Sequence, residues 1–374
     1  MDHILARYRL SQPDLPPEQL ADAIALEQSL ETDDRLLTDD IRASHRGQLR
    51  ALDPIGDQDW LAEIAYPAHL ASSQIGQLMQ LLYGNASFYP RVRLESLTLP
   101  DSLRDALPGP LGGIPAIRNA IDVADRALLM TVLKPRGSTP DHFAQMAETF
   151  ASAGGDILKD DQNLVESDLR LFEERIRKCA QAIDKASQKT GRRCLYLPHV
   201  AGSGGHLQRQ LDRVVSAGLS GVVMCPWFMG LETAAAAARA RGLLWLAHPA
   251  GAGVWTEPEN CGISSELIFG LLPRLAGADL VIYPGSGGRI SLRQGDERAI
   301  IRELTQPLGQ HPASLPCSGG GKTLDQVATL ADHLGSNLAI VVGSDLWLKG
   351  EQLGVSMQEA VSRLNQVSRN QGNL

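Results

Sequence analysis

Residues 154–162 read GGDILKDDQ, a short apolar run that ends in a lysine, two aspartates and a glutamine. The run has the length of a buried strand, so the polar side chains would lie at the carboxyl end of that strand. Further apolar runs follow along the chain, and longer amphipathic or alanine-rich stretches separate them. This alternation is typical of βα units that form a parallel sheet.

The number of apolar runs decides the fold class. Strands are predicted at 127–133, 156–159, 194–200, 221–225, 243–248, 279–283, 313–317 and 338–342, and helices at 139–153, 165–188, 206–217, 231–241 and 323–334. Eight βα units in about 250 residues fit a (β/α)8 TIM barrel better than an open sheet. The first part of the chain lacks this rhythm. We therefore predict an α/β protein in which a smaller α+β domain at 1–118 precedes a barrel at 119–374.

The composition limits the partners of the chain. Its net charge of −8 and pI near 5.6 argue against nucleic acid, which is bound through clustered Lys and Arg. The sequence shows neither the apolar core of a signal peptide nor the roughly 18 apolar residues of a spanning helix. The five cysteines lack CxxC spacing, which argues against zinc and against a disulfide framework. We predict a cytoplasmic protein with no nucleic-acid or membrane partner.

Polar residues follow most of the predicted strands, and barrel enzymes carry their chemistry at these strand ends. The first strand is followed by Lys134 and Arg136, and the second by KDDQ. The third strand ends with His199, the fifth with His248, and the sixth with Tyr283 and Arg289. One such residue alone is most often a helix cap or a solvated charge. Their repetition around the barrel indicates a site.

Glycine-rich segments follow the last two predicted strands. The backbone N–H groups of Ser318, Gly319, Gly320 and Gly321, with those of Gly343 and Ser344, would form an anion site where barrels commonly hold phosphate. Alternatively, the glycines serve only the tight turns that lead from strand to helix. The presence of both segments favours phosphate.

The KDDQ segment has three interpretations. Oxygen ligands from Asp161 and its neighbours could hold Mg²⁺. Lys159, buried with a lowered pKa, could instead form a Schiff base with a carbonyl substrate. Lysine and aspartate could also form a structural ion pair. Alternation along the strand places Lys159 and Asp161 on one face and Asp160 and Gln162 on the other, which does not choose between the three.

These motifs together resemble the large chain of ribulose bisphosphate carboxylase (RuBisCO) and its relatives, the RuBisCO-like proteins. The similar segments are LLYGN at 81–85, RVRLESLTLP at 91–100, VLKPRGSTP at 132–140, GGDILKDDQN, CSGGG and VVGS. The resemblance covers nearly the whole chain. It implies a ferredoxin-like N-terminal domain before the barrel, and a homodimer with active sites at the interface.

The resemblance also implies a magnesium site. Lys159 matches a lysine that CO₂ converts to a carbamate, and this carbamate and Asp161 match two Mg²⁺ ligands. Gln162 stands where the family has a third ligand, a glutamate. A glutamine oxygen can still bind Mg²⁺, but the site loses one negative charge and therefore metal affinity.

Further residues match substrate contacts of the family. Lys134 matches a lysine that contacts the substrate and the enediolate, and Lys134, the carbamate on Lys159 and His248 are candidates for the base. Gly319, Gly320 and Gly343 match a phosphate site of the family. Further candidates for binding the substrate or its phosphate are Arg136, Tyr283, Arg289, Ser318 and Ser344. Glu27 and Asn85 match residues that the partner subunit supplies.

Three departures from the family argue against carbon fixation. Pro249 follows His248 where the carboxylase has an arginine that binds the second phosphate, and Tyr283 stands where it has a histidine. The loop after strand six offers only Arg289 in place of a lysine. The chain is therefore interpreted as a form IV, non-carboxylating RuBisCO-like protein.

The activity implied is that of an Mg²⁺-dependent lyase or isomerase that works through an enolate. Its substrate would be a keto sugar phosphate or an oxo sugar acid, such as 3-oxo-isoapionate (with or without phosphate) or methylthioribulose phosphate. Three alternatives remain: a diketo-methylthiopentyl phosphate enolase, a Schiff-base lyase that uses unmodified Lys159 or Lys134, and a non-catalytic descendant with a weakened metal site.

Overall fold

The N-terminal part of the chain folds around a small mixed sheet. The computed structural model describes residues 2–292 and 297–371. The first elements are β1 (His3–Ser11), α1 (Pro17–Leu30), α2 (Asp39–His45), β2 (Gln48–Pro54), β3 (Asp59–Pro67), α3 (Ile75–Tyr83), β4 (Val92–Thr98), α4 (Asp101–Ala106) and α5 (Gly113–Ile121). Strands β1 to β4 pair antiparallel in the order β4-β1-β3-β2. Apolar side chains of α1 and α3 are buried, as in a ferredoxin-like α+β domain.

The remaining chain forms the barrel. Its strands are β5 (Leu128–Leu133), β6 (Ile157–Asp160), β7 (Leu195–Leu197), β8 (Gly221–Met224), β9 (Leu244–Ala247), β11 (Leu280–Pro284), β12 (Leu315–Lys322) and β13 (Ala339–Val342), while β10 (Gly262–Ile263) joins β4 of the small sheet. The helices are α6 (Pro140–Ser152), α7 (Leu169–Thr190), α8 (Gly204–Ser216), α9 (Pro226–Met229), α10 (Leu231–Arg239), α11 (Gly253–Thr256), α12 (Leu272–Ala276), α13 (Glu297–Thr305), α14 (Val327–Leu334), α15 (Ser344–Trp347) and α16 (Leu353–Gln371).

The eight parallel strands identified in the described residues close into a barrel. Hydrogen bonds join β8 to the segment after β7, from Val200 N to Val223 O at 3.1 Å and from Val223 N to Pro198 O at 2.8 Å. The predicted fold class is therefore confirmed. None of the described helices is long and apolar enough to cross a membrane.

Side chains that alternate along each strand build two separate apolar layers. The barrel interior contains Leu128, Met130, Val132, Ile157, Leu195, Leu197, Val223, Leu244, Leu246, Leu280, Ile282, Leu315, Cys317, Ala339 and Val341. The residues between them face the surrounding helices. Because side chains alternate, the side chain two positions after the last apolar interior residue of each strand again points into the barrel. These positions determine which polar residues line the barrel mouth.

Helix α5 packs with the barrel and not with the small sheet. Its Ile114, Ile117 and Ile121 join the interior apolar layer. The N–H groups of Gly112 and Gly113 both donate to Asp279 at 2.8 Å. The predicted domain boundary at residue 118 lies within this helix.

A buried ion pair holds the second barrel strand against α7. Asp160 and Arg175 are both fully buried, and the guanidinium of Arg175 donates to the Asp160 carboxylate. The same carboxylate accepts from Tyr196 Oη at 2.8 Å and from the His199 N–H at 3.0 Å. Removing one partner of such a pair leaves a buried charge without compensation.

We expect Arg175→Met to destabilise the protein by about 3–5 kcal/mol, because the Asp160 carboxylate would remain buried without its cation. The matched control lies in the same helix: Arg170 pairs with Asp168 but is 90% exposed, so Arg170→Met should leave stability unchanged within error. Urea denaturation followed by circular dichroism measures both. Equal effects of the two substitutions would contradict this assignment.

Candidate active site

Lys159 lies inside the barrel mouth, on the opposite face of β6 from Asp160. It is 2% exposed. Its Nζ donates to the backbone oxygen of Asp160 at 2.9 Å, and it makes no ion pair with a carboxylate of the described residues. The structural ion pair expected as one interpretation of the KDDQ segment is therefore formed by Asp160 with Arg175, and Lys159 is left out of it.

Burial lowers the pKa of Lys159 to about 8, although the charges of Asp161 and Asp160 oppose this effect. Lys134 adds to the lowering, so the two ammonium groups lie within electrostatic reach of each other. At pH 7 about a tenth of such an amine is neutral, compared with well under a thousandth at the ordinary pKa. Lys159 is thus a nucleophilic amine beside a carboxylate.

Two histidines and a cysteine lie near Lys159. His199 and Cys225 follow neighbouring strands, and their Nε2 and Sγ atoms are 3.7 Å apart. Burial lowers the pKa of His199 to about 4 and that of His248 well below 6.5, and Lys159 adds to both effects. Burial also raises the pKa of the Cys225 thiol to about 11, so the two imidazoles and this thiol are neutral at pH 7.

The geometry of His248 determines what its ring can do. The Ala250 N–H donates to His248 Nδ1 at 3.2 Å, so Nδ1 is an acceptor and the neutral ring carries its hydrogen on Nε2. A ring in this state presents a hydrogen-bond donor to a ligand. This favours His248 as a donor to substrate oxygen over the role of proton-abstracting base.

Lys134 follows β5 and lies against the loop after β13. A Cβ atom added to Gly343 would lie 3.1 Å from Lys134 Nζ, so the absence of a side chain at 343 leaves space for this ammonium. The structure therefore brings together Lys134, Lys159, Asp161, His248 and Gly343. Gln162 follows Asp161 in the same loop and is half-buried.

The glycine segment after β12 forms a bulge. Ser318 is opposite Ile340 and Lys322 is opposite Val342, so three glycines, Gly319–Gly321, lie opposite a single residue. The strand assignment continues to Lys322, beyond the predicted end at 317. Gly320 and Gly321 have φ of 95° and 106°, which explains two of the glycines by backbone conformation alone.

Two of the predicted anion ligands do not turn a side chain toward the barrel mouth. Tyr283 and Ser318 are fully buried on the helix-facing side of their strands, and Ser318 Oγ donates to Glu297 at 2.7 Å. We therefore correct the assignment of Tyr283, which the alternation along β11 turns away from the substrate. Arg136, Arg289 and Ser344 are exposed at the ends of β5, β11 and β13.

Comparison with known proteins identifies the family. The family model described as the ribulose bisphosphate carboxylase large chain, catalytic domain, matches residues 113–347, and the model of its N-terminal domain matches residues 1–103. The chain belongs to the RuBisCO large chain family. The start of the catalytic-domain match at residue 113 coincides with the start of α5.

Similar members of the RuBisCO family are RuBisCO-like proteins. Ribulose bisphosphate carboxylase-like protein 1 of Rhodopseudomonas palustris is 33% identical over 354 residues, which are 94% of this chain and 95% of that protein. A 5-methylthioribulose-1-phosphate isomerase of Rhodospirillum rubrum is 31% identical over 352 residues, 92% and 91% of the two chains. The crystal structure of a Rubisco-like protein from Rhodopseudomonas palustris aligns with a TM-score of 0.87 at 28% identity and covers 98% of both chains. The interpretation as a RuBisCO-like protein is confirmed.

The Mg²⁺ site implied by the RuBisCO family can be tested against the residues present. Within residues 2–292 and 297–371, no group of three or more His, Cys, Asp or Glu side chains is arranged to hold a metal ion. Unmodified, the end of β6 offers one carboxylate, Asp161, one amide, Gln162, and the amine of Lys159. Addition of CO₂ to the neutral amine, with loss of a proton, would replace a repelling cation with a carbamate whose single negative charge is shared by two oxygens. The resulting donor set fits a hard cation.

The N-terminal residues expected to complete a RuBisCO-type site are in contact with each other. Asn85 Nδ2 donates to Glu27 Oε1 at 2.7 Å, and both line a polar cleft of about 530 Å³. Glu232, at the start of α10, lines the same cleft and accepts from the Ile75 N–H at 3.0 Å. The structure thus brings the two expected N-terminal residues together, and their role in a partner's site stays a prediction.

Cys225 lies at the barrel mouth, and the sequence analysis assigns it no role in the site. It follows Val223, an interior residue of β8, by two positions, so strand alternation already contained the signal. His199 was recognised as a strand-end residue, but its contact with Cys225 depends on the closure of the barrel between β7 and β8.

The stability of the protein should fall as pH drops from about 6.5 to about 4. The pKa of His199 is lower in the folded than in the unfolded state, so the unfolded state binds the proton first and folding loses up to about 3 kcal/mol over this range. In His199→Gln this contribution should be absent and the pH dependence shallower. Urea titrations at a series of pH values measure the difference; parallel curves for the two proteins would refute the prediction.

Proposed function

We propose that the protein is an Mg²⁺-dependent enzyme that forms an enolate beside the carbonyl of a keto sugar phosphate or an oxo sugar acid. The enolate would lead to isomerisation or, where a carboxylate leaves as CO₂, to decarboxylation. The family membership and the isomerase relative support the enolate-forming class. The observation that carries the proposal is the position of Lys159, an amine of lowered pKa that is buried beside Asp161.

Lys159 would serve as the attachment point for CO₂, because only a neutral amine adds to CO₂ and burial increases the neutral fraction. With Asp161 and Gln162 it would hold Mg²⁺. The bound ion would act as a Lewis acid that stabilises negative charge on a substrate oxygen. Gln162 offers a neutral amide oxygen where the family has a glutamate carboxylate, so Mg²⁺ is expected to bind more weakly than in a site with glutamate.

The other residues of the barrel mouth would bind and orient the substrate. Lys134 would place an ammonium group beside the oxygen that becomes negative, close to the backbone of Gly343. His248 Nε2–H would donate to a second oxygen. The N–H groups of the glycine bulge, with Arg289 at its edge, would bind the phosphate or carboxylate of the substrate.

Among the described residues, the positions that match the second phosphate site of the family would offer a bisphosphate no anchor. Pro249 cannot replace the arginine that the carboxylase uses, and Tyr283 lies on the far side of β11. The loop after β11 carries no lysine at residues 284–292. A substrate with a single anionic group matches these residues better than a bisphosphate does.

The enolate step should be visible as metal-dependent exchange of a substrate proton with solvent. We expect the purified protein, supplied with Mg²⁺ and bicarbonate, to incorporate deuterium from D₂O into a phosphorylated ketose or branched oxo acid, and EDTA to abolish the exchange. NMR follows deuterium uptake, and CO₂ release is measured in parallel. Exchange only with a diketo phosphate would favour the enolase alternative. Borohydride trapping of substrate on Lys159 or Lys134 would favour a Schiff base and contradict the proposal.

Two substitutions at the end of β6 separate loss of the metal from loss of the chemistry. Lys159→Met should reduce exchange to background while the protein stays folded, because a buried methionine packs in place of the lysine stem. Gln162→Glu should tighten Mg²⁺ binding in calorimetry. If Mg²⁺ binds only to Gln162→Glu and the natural protein shows no exchange, the non-catalytic alternative is correct.

We also propose that the active unit is a homodimer in which Glu27 and Asn85 of one subunit complete the site of the other. Phe88 supports an interface here, because it follows Asn85 closely and is 86% exposed. Co-expressed Asn85→Ala and Lys159→Met chains should recover about a quarter of wild-type activity, since half of the dimers would hold one intact site. No recovery, with dimers formed, would show that both residues serve the same subunit's site.

A further inference from the structure

A polar cluster connects the exposed Ser286, in the loop that follows β11, to buried side chains beneath this loop. We call it the Ser286 cluster, and it consists of Ser286, Glu297, Ser318 and Lys322. Glu297 is 9% exposed, Ser318 is fully buried and Lys322 is 1% exposed. Charged side chains of this kind are almost never fully buried unless they are paired or hydrogen-bonded. No role in the proposed chemistry has been assigned to either charge.

The two charged side chains of the Ser286 cluster, Glu297 and Lys322, both bind Ser286. Glu297 Oε2 accepts from the Ser286 N–H at 3.1 Å and from Ser286 Oγ at 2.7 Å, and Oε1 accepts from Ser318 Oγ at 2.7 Å. Lys322 Nζ donates to the Ser286 backbone oxygen. The donors of Ser286 are thus held by an anion and its acceptor by a cation.

The space around the Ser286 cluster excludes any side chain at residue 285. A Cβ atom at Gly285 would lie 2.0 Å from Ser318 Oγ and 2.5 Å from Glu297 Oε1. The glycine at this position is therefore required by close packing onto the cluster. It is not free to serve only as a flexible hinge.

The same loop also rests directly on the glycine bulge of β12. The Gly285 N–H donates to Gly319 O at 3.1 Å and the Ile290 N–H donates to Gly320 O at 2.8 Å. A Cβ atom at Gly288 would lie 2.4 Å from Gly320 O. The backbone of residues 285–290 therefore packs directly on the backbone of the glycine bulge, and hydrogen bonds join the two segments.

This packing places Arg289 at the edge of the bulge. A Cβ atom at Gly321 would lie 2.9 Å from Arg289 N and 3.3 Å from Arg289 Cβ. The Arg289 side chain is exposed and makes no hydrogen bond or ion pair with the part of the chain that the structure describes. Its guanidinium is available to an anion bound at the backbone of the bulge.

We propose that Glu297 and Lys322 are positioning residues which, by holding Ser286, fix residues 285–290 as a permanent wall of the anion site and present Arg289 to the substrate. This rests on the proposed function, in which the glycine bulge binds a phosphate or carboxylate. A prearranged wall does not lose loop entropy when the substrate binds, which strengthens binding without new contacts. The loop after β11 is in this view a fixed part of the site and not a lid that closes.

Binding of inorganic phosphate, measured by calorimetry, tests the proposal through a double-mutant cycle. Arg289→Ala should weaken phosphate binding about tenfold, and Lys322→Met should weaken it by a similar factor, since a loop that is not held no longer presents the arginine. The double variant should lose little more than either single variant. Lys322→Arg should restore most of the affinity, and Lys189→Met, the same change at an exposed lysine at the end of α7, should have no effect.

Amide hydrogen exchange gives a second readout that does not depend on phosphate. Lys322→Met, and independently Glu297→Gln, should speed exchange in residues 285–290 at least tenfold while exchange in β5 and β13 stays unchanged. Additive losses in the cycle, or unchanged exchange in both variants, would overturn the positioning role. If the natural protein binds neither phosphate nor sulfate, the anion site itself fails, whereas the exchange result still decides whether Glu297 and Lys322 hold the loop.

Discussion

The site depends on the burial of Lys159 without a carboxylate in contact with its ammonium group. The neighbouring Asp160 would be the obvious partner, but its carboxylate points to the other side of β6 and is bound by Arg175, Tyr196 and the His199 N–H. Lys159 consequently has no ion pair to offset its desolvation, and burial lowers its pKa to about 8. Two adjacent residues of one strand thus differ in their surroundings: the Asp160 carboxylate pairs with Arg175 on the helix side, and Lys159 presents a buried amine at the barrel mouth.

The barrel makes this division possible because strand alternation separates the two faces. Inward positions two residues beyond the apolar interior carry Lys134, Lys159, His199, Cys225 and His248, while outward positions carry side chains that bind helices or other loops. Tyr283 and Ser318 belong to the outward set. Tyr283, which stands where the carboxylase has a histidine, therefore lies outside the barrel mouth.

Much of this architecture was readable from the sequence. The eight strands lie within three residues of the predicted positions, apart from the extension of β12 to Lys322, because alternating apolar runs and amphipathic stretches leave few folds to choose from. Alternation also predicted that Lys159 and Asp160 face opposite ways. The same rule, applied to β11 and β12, would have turned Tyr283 and Ser318 away from the site. Arg175 as the partner of Asp160, the bulge at Gly319–Gly321 and the Ser286 cluster could not be predicted, since each depends on contacts between segments distant in sequence.

The most direct test of the account is the reaction of Lys159 with CO₂. The protein is equilibrated with ¹³C-labelled bicarbonate and Mg²⁺, and a carbamate carbon is sought by ¹³C NMR, with Lys159→Met as the reference. The account predicts a carbamate resonance that is present in the natural protein, absent in Lys159→Met and diminished when EDTA removes the metal. A spectrum without such a resonance at saturating bicarbonate and Mg²⁺, or one that Lys159→Met retains unchanged, would contradict it.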